Sequence, residues 1–197
     1  PREGSSATTG FTDRDTLKAT YLTLARHLMN RSDDLAEARM YLEKVLRLDP
    51  NELDALNTLG ESYVLGGEPL RALKAFGSAA RAAEASGNDA QAARLHFRVA
   101  ALWHTELGDA AQALLSCRRA LSLTPQDSPE RIRALRFAAE RCEERERHEE
   151  ASEYWTELLP ILEQTYETAQ NHAFLPDADF PLADLTGSAD VPRTTQA

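Results

Sequence analysis

"LNTLGESYVLGGEPLRALKAF", residues 56–76, reads as two amphipathic helices joined by a tight turn. Leu56, Leu59, Gly60 and Tyr63 recur at helical spacing on one side of the first segment. In the second, Ala72 is followed by Phe76 four residues on and by Ala79 three beyond that, the spacing of a helix face. "GGEP" at 66–69 separates them, and glycine ends a helix at little cost. Gly60 puts no side chain where a second helix would cross, so the two segments can approach closely.

The same phrase is written four times. Leu22 pairs with Ala38, Leu56 with Ala72, Phe97 with Ala113 and Leu135 with Ala151, always 16 residues apart. Beyond each alanine stands a larger side chain at four residues (Leu42, Phe76, Cys117, Trp155) and an apolar one at seven (Val45, Ala79, Ala120, Leu158). Each unit is therefore a helical hairpin with an apolar stripe on both arms. Turns are expected at "RSDD" (31–34), "GGEP" (66–69), "LGD" (107–109) and the charged "ERHEE" (146–150), with Asp33 and Asp109 as caps of the helices that follow. Pro50 and Pro125 close two units, because proline lacks the next backbone donor and turns its predecessor away from helix. The step from Leu22 to Leu56 is 34 residues; from Leu56 to Phe97 it is 41, a longer second helix with Gly87 and Asn88 at its turn.

These residues resemble the tetratricopeptide repeat, whose pattern is W-x2-L-G-x2-Y, then A-x3-F, then P over 34 residues. "LNTLGESY" supplies the first half with Leu56 for the tryptophan, "ALKAF" the second, and Pro50 and Pro125 the stop. The resemblance covers about residues 19–160 and implies an all-α fold: a right-handed superhelix of stacked antiparallel helical hairpins, about four repeats plus a C-terminal capping helix. Units are expected at 19–52, 53–86, 94–127 and 132–160, with a capping helix at 161–171 that covers the open end of the stack. The repeat domain as a whole is placed at 13–171. Residues 1–12 read as a flexible leader, with Thr12 or Asp13 capping the first helix. Residues 172–197 read as a disordered, acidic, proline-containing tail. Pro160 is expected to kink the last helix or split it in two.

Composition narrows the function. The chain has 197 residues, a net charge of −10 and a pI near 5.0, a balance that opposes contact with the phosphates of nucleic acid or an anionic membrane. No apolar run reaches the roughly 18 residues of a membrane span. The expectation is a cytoplasmic protein with neither nucleic acid nor membrane insertion among its partners. Cys117 and Cys142 have no metal spacing and read as buried, reduced thiols. There is no phosphate loop, nucleophile elbow or paired-histidine motif, so no cofactor, no metal and no catalytic residue is assigned, and the chain is not expected to be an enzyme. His96 and His104 read as packed or edge histidines, and Trp155 as a core side chain in the slot where the family has Phe. "ERCEERERHEE" (140–150) reads as a solvated helix, with Glu143 and Arg147, and Arg145 and Glu149, pairing at four-residue spacing.

The resemblance implies a non-catalytic scaffold that holds a peptide or helix of another protein in its concave groove, as adaptors, co-chaperones and the chaperones of bacterial secretion systems do. Because the chain begins at Pro1, the alternative is a regulatory or substrate-docking domain of a larger protein that carries an enzyme. In the family the groove is lined by the first helix of each repeat. That gives Thr23, His27 and Asn30, then Asn57, Glu61 and Val64, then Arg98, Leu102 and Thr105, and lastly Arg133, Arg136 and Glu140. The arginines suit an acidic segment. Relatives that clamp a chaperone's terminal carboxylate carry Lys, Asn and Arg where this chain has Thr23, His27, Thr58, Leu95 and Val99, so that clamp is not expected. Phe174, Leu175, Phe180 and Leu182, set among aspartates, form a candidate docking tail. A second copy of the chain is a further candidate partner.

Overall fold

The computed structural model describes residues 6–30, 34–126 and 128–173, and within these the side chains of 13–168. Among the described residues there are eight helices and no strand: α1 Ser6–Met29, α2 Leu35–Leu48, α3 Leu53–Leu65, α4 Pro69–Ala85, α5 Asp89–Thr105, α6 Ala110–Leu123, α7 Pro129–Glu144 and α8 His148–Ala173. They pack as four hairpins (α1 with α2, α3 with α4, α5 with α6, α7 with α8), and each hairpin leans on the next through α2–α3, α4–α5 and α6–α7. The result is the solenoid of stacked hairpins that the repeats predict.

The predicted register holds. Ala38, Ala72, Ala113 and Ala151 are all buried, as are Leu42, Phe76 and Cys117 four residues beyond the first three. Trp155, the fourth of that series, is half-buried against the last core cluster and donates its indole N–H to Glu143 Oε1 at 2.8 Å. The core is segmental: one cluster joins Ala25 to α2 and α3, a second joins α3, α4 and α5 around Phe76, and a third joins Ala100 of α5 to α6, α7 and α8. No hairpin has a core of its own, so each depends on its neighbours for burial. Cys117 and Cys142 are both free and buried. The Cys117 thiol donates to the Ala134 carbonyl at 3.2 Å, and burial pushes its pKa up to about 12.

Punctuation follows the sequence closely. Asp49 and Thr124, each preceding a proline, are extended (φ −142°, ψ 99° and φ −98°, ψ 130°) and end α2 and α6. Asp109 caps α6 by accepting from the N–H groups of Ala111 and Gln112 at 3.0 Å; Asp33 lies outside the described residues. After α3 and α4 the chain turns through Gly67 (φ 68°) and Gly87 (φ 72°), and the next N–H reaches back to the Tyr63 or Ala83 carbonyl, at 2.8 and 2.9 Å. The fourth hairpin makes the same turn with Glu146 at φ 57°, a conformation that costs a residue with a Cβ about 1–2 kcal/mol.

Four expectations need correcting. Helix α1 begins at Ser6, inside the stretch read as a flexible leader, so neither Thr12 nor Asp13 is a cap; once packing over Tyr21–Met29 nucleates the helix, each added residue gains a backbone bond. The stretch 140–150 is not one solvated helix, because α7 stops at Glu144 and α8 starts at His148; Arg147 pairs forward with Glu150 and Arg141 with Glu144 at 2.8 Å. Pro160 does not split the last segment, and no separate capping helix stands at 161–171: α8 is continuous through it. Pro160 is exposed, so the carbonyl it leaves unpaired sits where water can reach the backbone. The third and fourth units start with α5 at Asp89 and α7 at Pro129, because the extra residues lengthen helices instead of loops.

One contact shows how tightly the repeats fit. A Cβ added to Gly60 would fall 2.5–2.8 Å from three ring carbons of Phe76, whereas one added to Gly77, also helical, would meet only Arg81 Nη1 at 3.9 Å. In an open helix, Gly→Ala gains up to about 1 kcal/mol. Gly77→Ala should therefore raise the urea midpoint, while Gly60→Ala should lower it by about 1–3 kcal/mol of stability through overpacking. A higher midpoint for Gly60→Ala would contradict this packing.

Repeats are also tied by charge. Glu84 of α4 accepts from Arg119 of α6 and from His96 of α5, the latter at 2.6 Å. The Arg119 guanidinium, and after it His96, hold the Glu84 carboxyl at about 2 instead of its ordinary 4.5. A depressed carboxylate stabilises the fold above its unfolded pKa, and that contribution is lost as pH falls through the folded one. The difference in urea midpoint between wild type and Glu84→Gln should thus shrink between pH 4.5 and about 2; a constant difference across that range would remove the assigned role.

Candidate binding face

The odd-numbered helices form one layer and the even-numbered helices the other, and each layer is laced by its own ion pairs. In the odd layer, Arg26 of α1 meets Asp54 of α3 at 3.0 Å, Arg98 of α5 meets Glu61 of α3 at 2.8 Å, and Arg94 of α5 meets Glu130 of α7 at 3.2 Å. In the even layer, Arg119 of α6 reaches Glu84 of α4, and Arg118 of α6 reaches Glu150 of α8 and the Tyr154 hydroxyl, the last at 2.9 Å. These pairs bridge successive units, so they fix how each odd helix sits beside the next.

Most predicted groove residues lie on the odd layer with water in reach. Thr23, His27 and Asn30 of the first unit are exposed, as are Val64, Arg98, Thr105, Arg133 and Arg136, while Asn57, Glu61 and Glu140 are half-buried. The structure brings three of them together: Arg98 Nη1 donates to Asn57 Oδ1 at 2.9 Å and Glu61 Oε1 at 2.8 Å, and its guanidinium lies 4.5 Å from the centre of the Phe76 ring. Arg98 is thus braced by two acceptors and an aromatic face. Arg133 and Arg136 are held loosely, at 3.7 Å from Glu130 and 3.9 Å from Glu140. His27 and Thr23 border an open hollow of about 550 Å³ along α1, whose other walls are Thr16, Ala19, Thr20 and Leu24. No Asp, Glu, Lys or Arg side chain lines it.

Leu102 does not belong to this face. It is 8% exposed and packs into the cluster that α3, α4 and α5 share, because burying an apolar side chain at that register gains about 1.5–3 kcal/mol. Leu95, Val99 and Leu102 recur at four and three residues, a stripe that marks a second buried side of α5. Thr58, Leu95 and Val99, set against the carboxylate clamp, are likewise buried, so those three places are core positions that present no side chain to a groove. Arg26, Asp54, Arg94 and Glu130 join the odd layer although repeat alignment did not single them out. Their signal was charge of opposite sign at neighbouring units, which the sequence shows only after the layers are known. Phe174, Leu175, Phe180 and Leu182 lie outside the described residues.

Arg39 shows a structural arginine by contrast. It bonds Ser62 Oγ at 3.2 Å, the Ser62 carbonyl at 2.7 Å and Glu68 at 2.5 Å, and stacks on Tyr63 at 4.5 Å, so it seals the first two hairpins together. His104 lies 2.6 Å from Arg141 and edge-on to Phe137, which makes it a packing histidine. Among the described residues no group of three or more His, Cys, Asp or Glu side chains could hold a metal ion, and no helix is long and apolar enough to cross a membrane.

Comparison with known proteins adds to this geometry. The family model described as tetratricopeptide repeat matches residues 20–52. No curated protein matches the chain in sequence. Among solved structures, MamA (residue 41 to its end) from Desulfovibrio magneticus RS-1 is similar with a TM-score of 0.55 and 18% identity, over 75% of this chain and 76% of that one. BtubC from P. vanneervenii gives a TM-score of 0.57 at 14% identity, over 85% and 69% of the two chains. Cut9, in the APC/C hetero-tetramer Cut9-Hcn1, gives 0.51 at 18% identity, over 79% of this chain and 27% of its own. At such identities the likeness is one of fold. With one unit matched in sequence and four stacked hairpins in the structure, the chain carries a tetratricopeptide repeat at 20–52 within a solenoid of that type of fold.

Proposed function

We propose that this chain is a non-catalytic scaffold that holds a peptide or helix of a partner protein along the odd-helix layer. The observation that carries the reading is the run of solvent-facing side chains on four successive odd helices, Thr23 and His27, Val64, Arg98 and Thr105, then Arg133 and Arg136. Ion pairs between units hold that run in place. A fixed array of hydroxyl, amide and guanidinium groups recognises backbone and carboxylate without needing to reorganise, which lowers the cost of binding. Its two ends differ. The hollow at the α1 end is lined by no Asp, Glu, Lys or Arg, while the α5–α7 end presents guanidinium donors that pair with carboxylates in a planar fork.

An extended segment whose acidic part meets α5 and α7 and whose neutral part meets α1 fits this order. Cut9, of the same fold, is found in a hetero-tetramer with Hcn1, which agrees with a role in assembly. Solenoids of this kind use their long face for such contacts.

The test is capture of partners from an extract by the full-length chain, identification by mass spectrometry, and repetition with Arg98→Glu and Arg136→Glu combined. Reversing two charges inside an interface should weaken retention of the principal partner by about tenfold or more. Undiminished retention by a folded double variant would contradict the reading.

A further inference from the structure

We propose that Arg94, Arg98, Arg133 and Arg136 form a docking strip for an acidic extended segment, and that its resident occupant is this chain's own segment 174–185. The inference rests on the odd layer being the binding face. The side chains of the four arginines are 60%, 43%, 62% and 63% exposed. For three of them the acids are shared or distant: Glu130 serves both Arg94, at 3.2 Å, and Arg133, at 3.7 Å, and Glu140 lies 3.9 Å from Arg136, whereas Arg98 is held by Glu61 at 2.8 Å through Nη1. A well-made guanidinium–carboxylate pair closes to about 2.7–2.9 Å. The three exposed pairs longer than this contribute little, so Arg94, Arg133 and Arg136 keep donors for another carboxylate.

The topology delivers one. Helix α8 runs antiparallel to α7, with Arg131 paired to Glu157. At 26 residues against 16, α8 outlasts its partner by ten, about 15 Å at 1.5 Å per residue. Residues 162–168 are accordingly exposed. Ala173 therefore leaves the stack at the edge where α7 begins, and Arg133 and Arg136 lie in the first half of α7. The chain beyond it carries Asp177, Asp179, Asp184 and Asp190 against a single basic residue, Arg193. Eleven residues from Ala173 to Asp184 reach about 36 Å when extended, enough to pass the overhang and run along the strip. Pro176 and Pro181 favour extended backbone. Tethering holds the segment near millimolar effective concentration, so even a weak site is occupied and a partner must displace it.

The experiment uses the full chain with Thr186→Cys carrying a nitroxide. Cys117 and Cys142 are completely buried, so the label goes to residue 186. Amide signals of residues 94–98 and 133–136 should broaden at low salt. The effect should fall about threefold or more in roughly 0.5 M salt, vanish in Arg133→Glu with Arg136→Glu, and persist on dilution. Broadening confined to the end of α8, or indifferent to the arginine changes, would overturn the proposal; so would loss on dilution, which would make a second copy the occupant. Partner capture without any broadening would sink this proposal and leave the binding-face reading standing.

Discussion

Everything in this molecule depends on helices approaching across small side chains. Gly60 lies against the ring of Phe76 with no room for a methyl group, and the buried alanines of the aligned registers let each hairpin sink into the next. Close-packed interiors have little slack. The core is divided among three clusters, each spanning more than one hairpin, so the hydrophobic energy that stabilises a unit is located mostly between units. That single constraint explains why the chain is a stack with two ends and why its surface is organised in layers.

The layers, in turn, explain the electrostatics. A chain of net charge −10 would repel itself if its carboxylates were spread evenly. Instead, acids such as Asp54, Glu61, Glu84, Glu130 and Glu150 each face an arginine of a neighbouring unit. Each exposed pair is weak alone, and together they set the register between units. Within the odd layer the exposed arginines Arg94, Arg98, Arg133 and Arg136 gather on α5 and α7, whereas the hollow along α1 is lined by no Asp, Glu, Lys or Arg.

Much of this was legible in the sequence, for identifiable reasons. Features that act within a few residues came through: Pro50 and Pro125 as stops, Asp109 as a cap, Gly67 and Gly87 in turns, and the alanine register that fixes each hairpin. Features decided by a neighbour did not. Leu102 aligns with His27 and Glu61, yet it turns inward because α5 has a second buried side. The charged run at 140–150 has the spacing of a helix, and the turn expected at 146–150 falls slightly earlier, between Glu144 and His148 through Glu146. Pro160 reads as a break, and α8 absorbs it at an exposed position. Most of the candidate groove positions were legible as exposed places on the odd layer, whereas the lacing of that layer by Arg26, Asp54, Arg94 and Glu130 required the layers to be seen.

Native-state hydrogen exchange tests the central claim most directly, because it reads the stability of each helix separately. If hairpins draw their stability from neighbours on both sides, protection should be greatest in α4, α5 and α6 and should fall towards α1 and α8, the two ends of the stack. Uniform protection from α1 to α8, or greatest protection at either end, would contradict it.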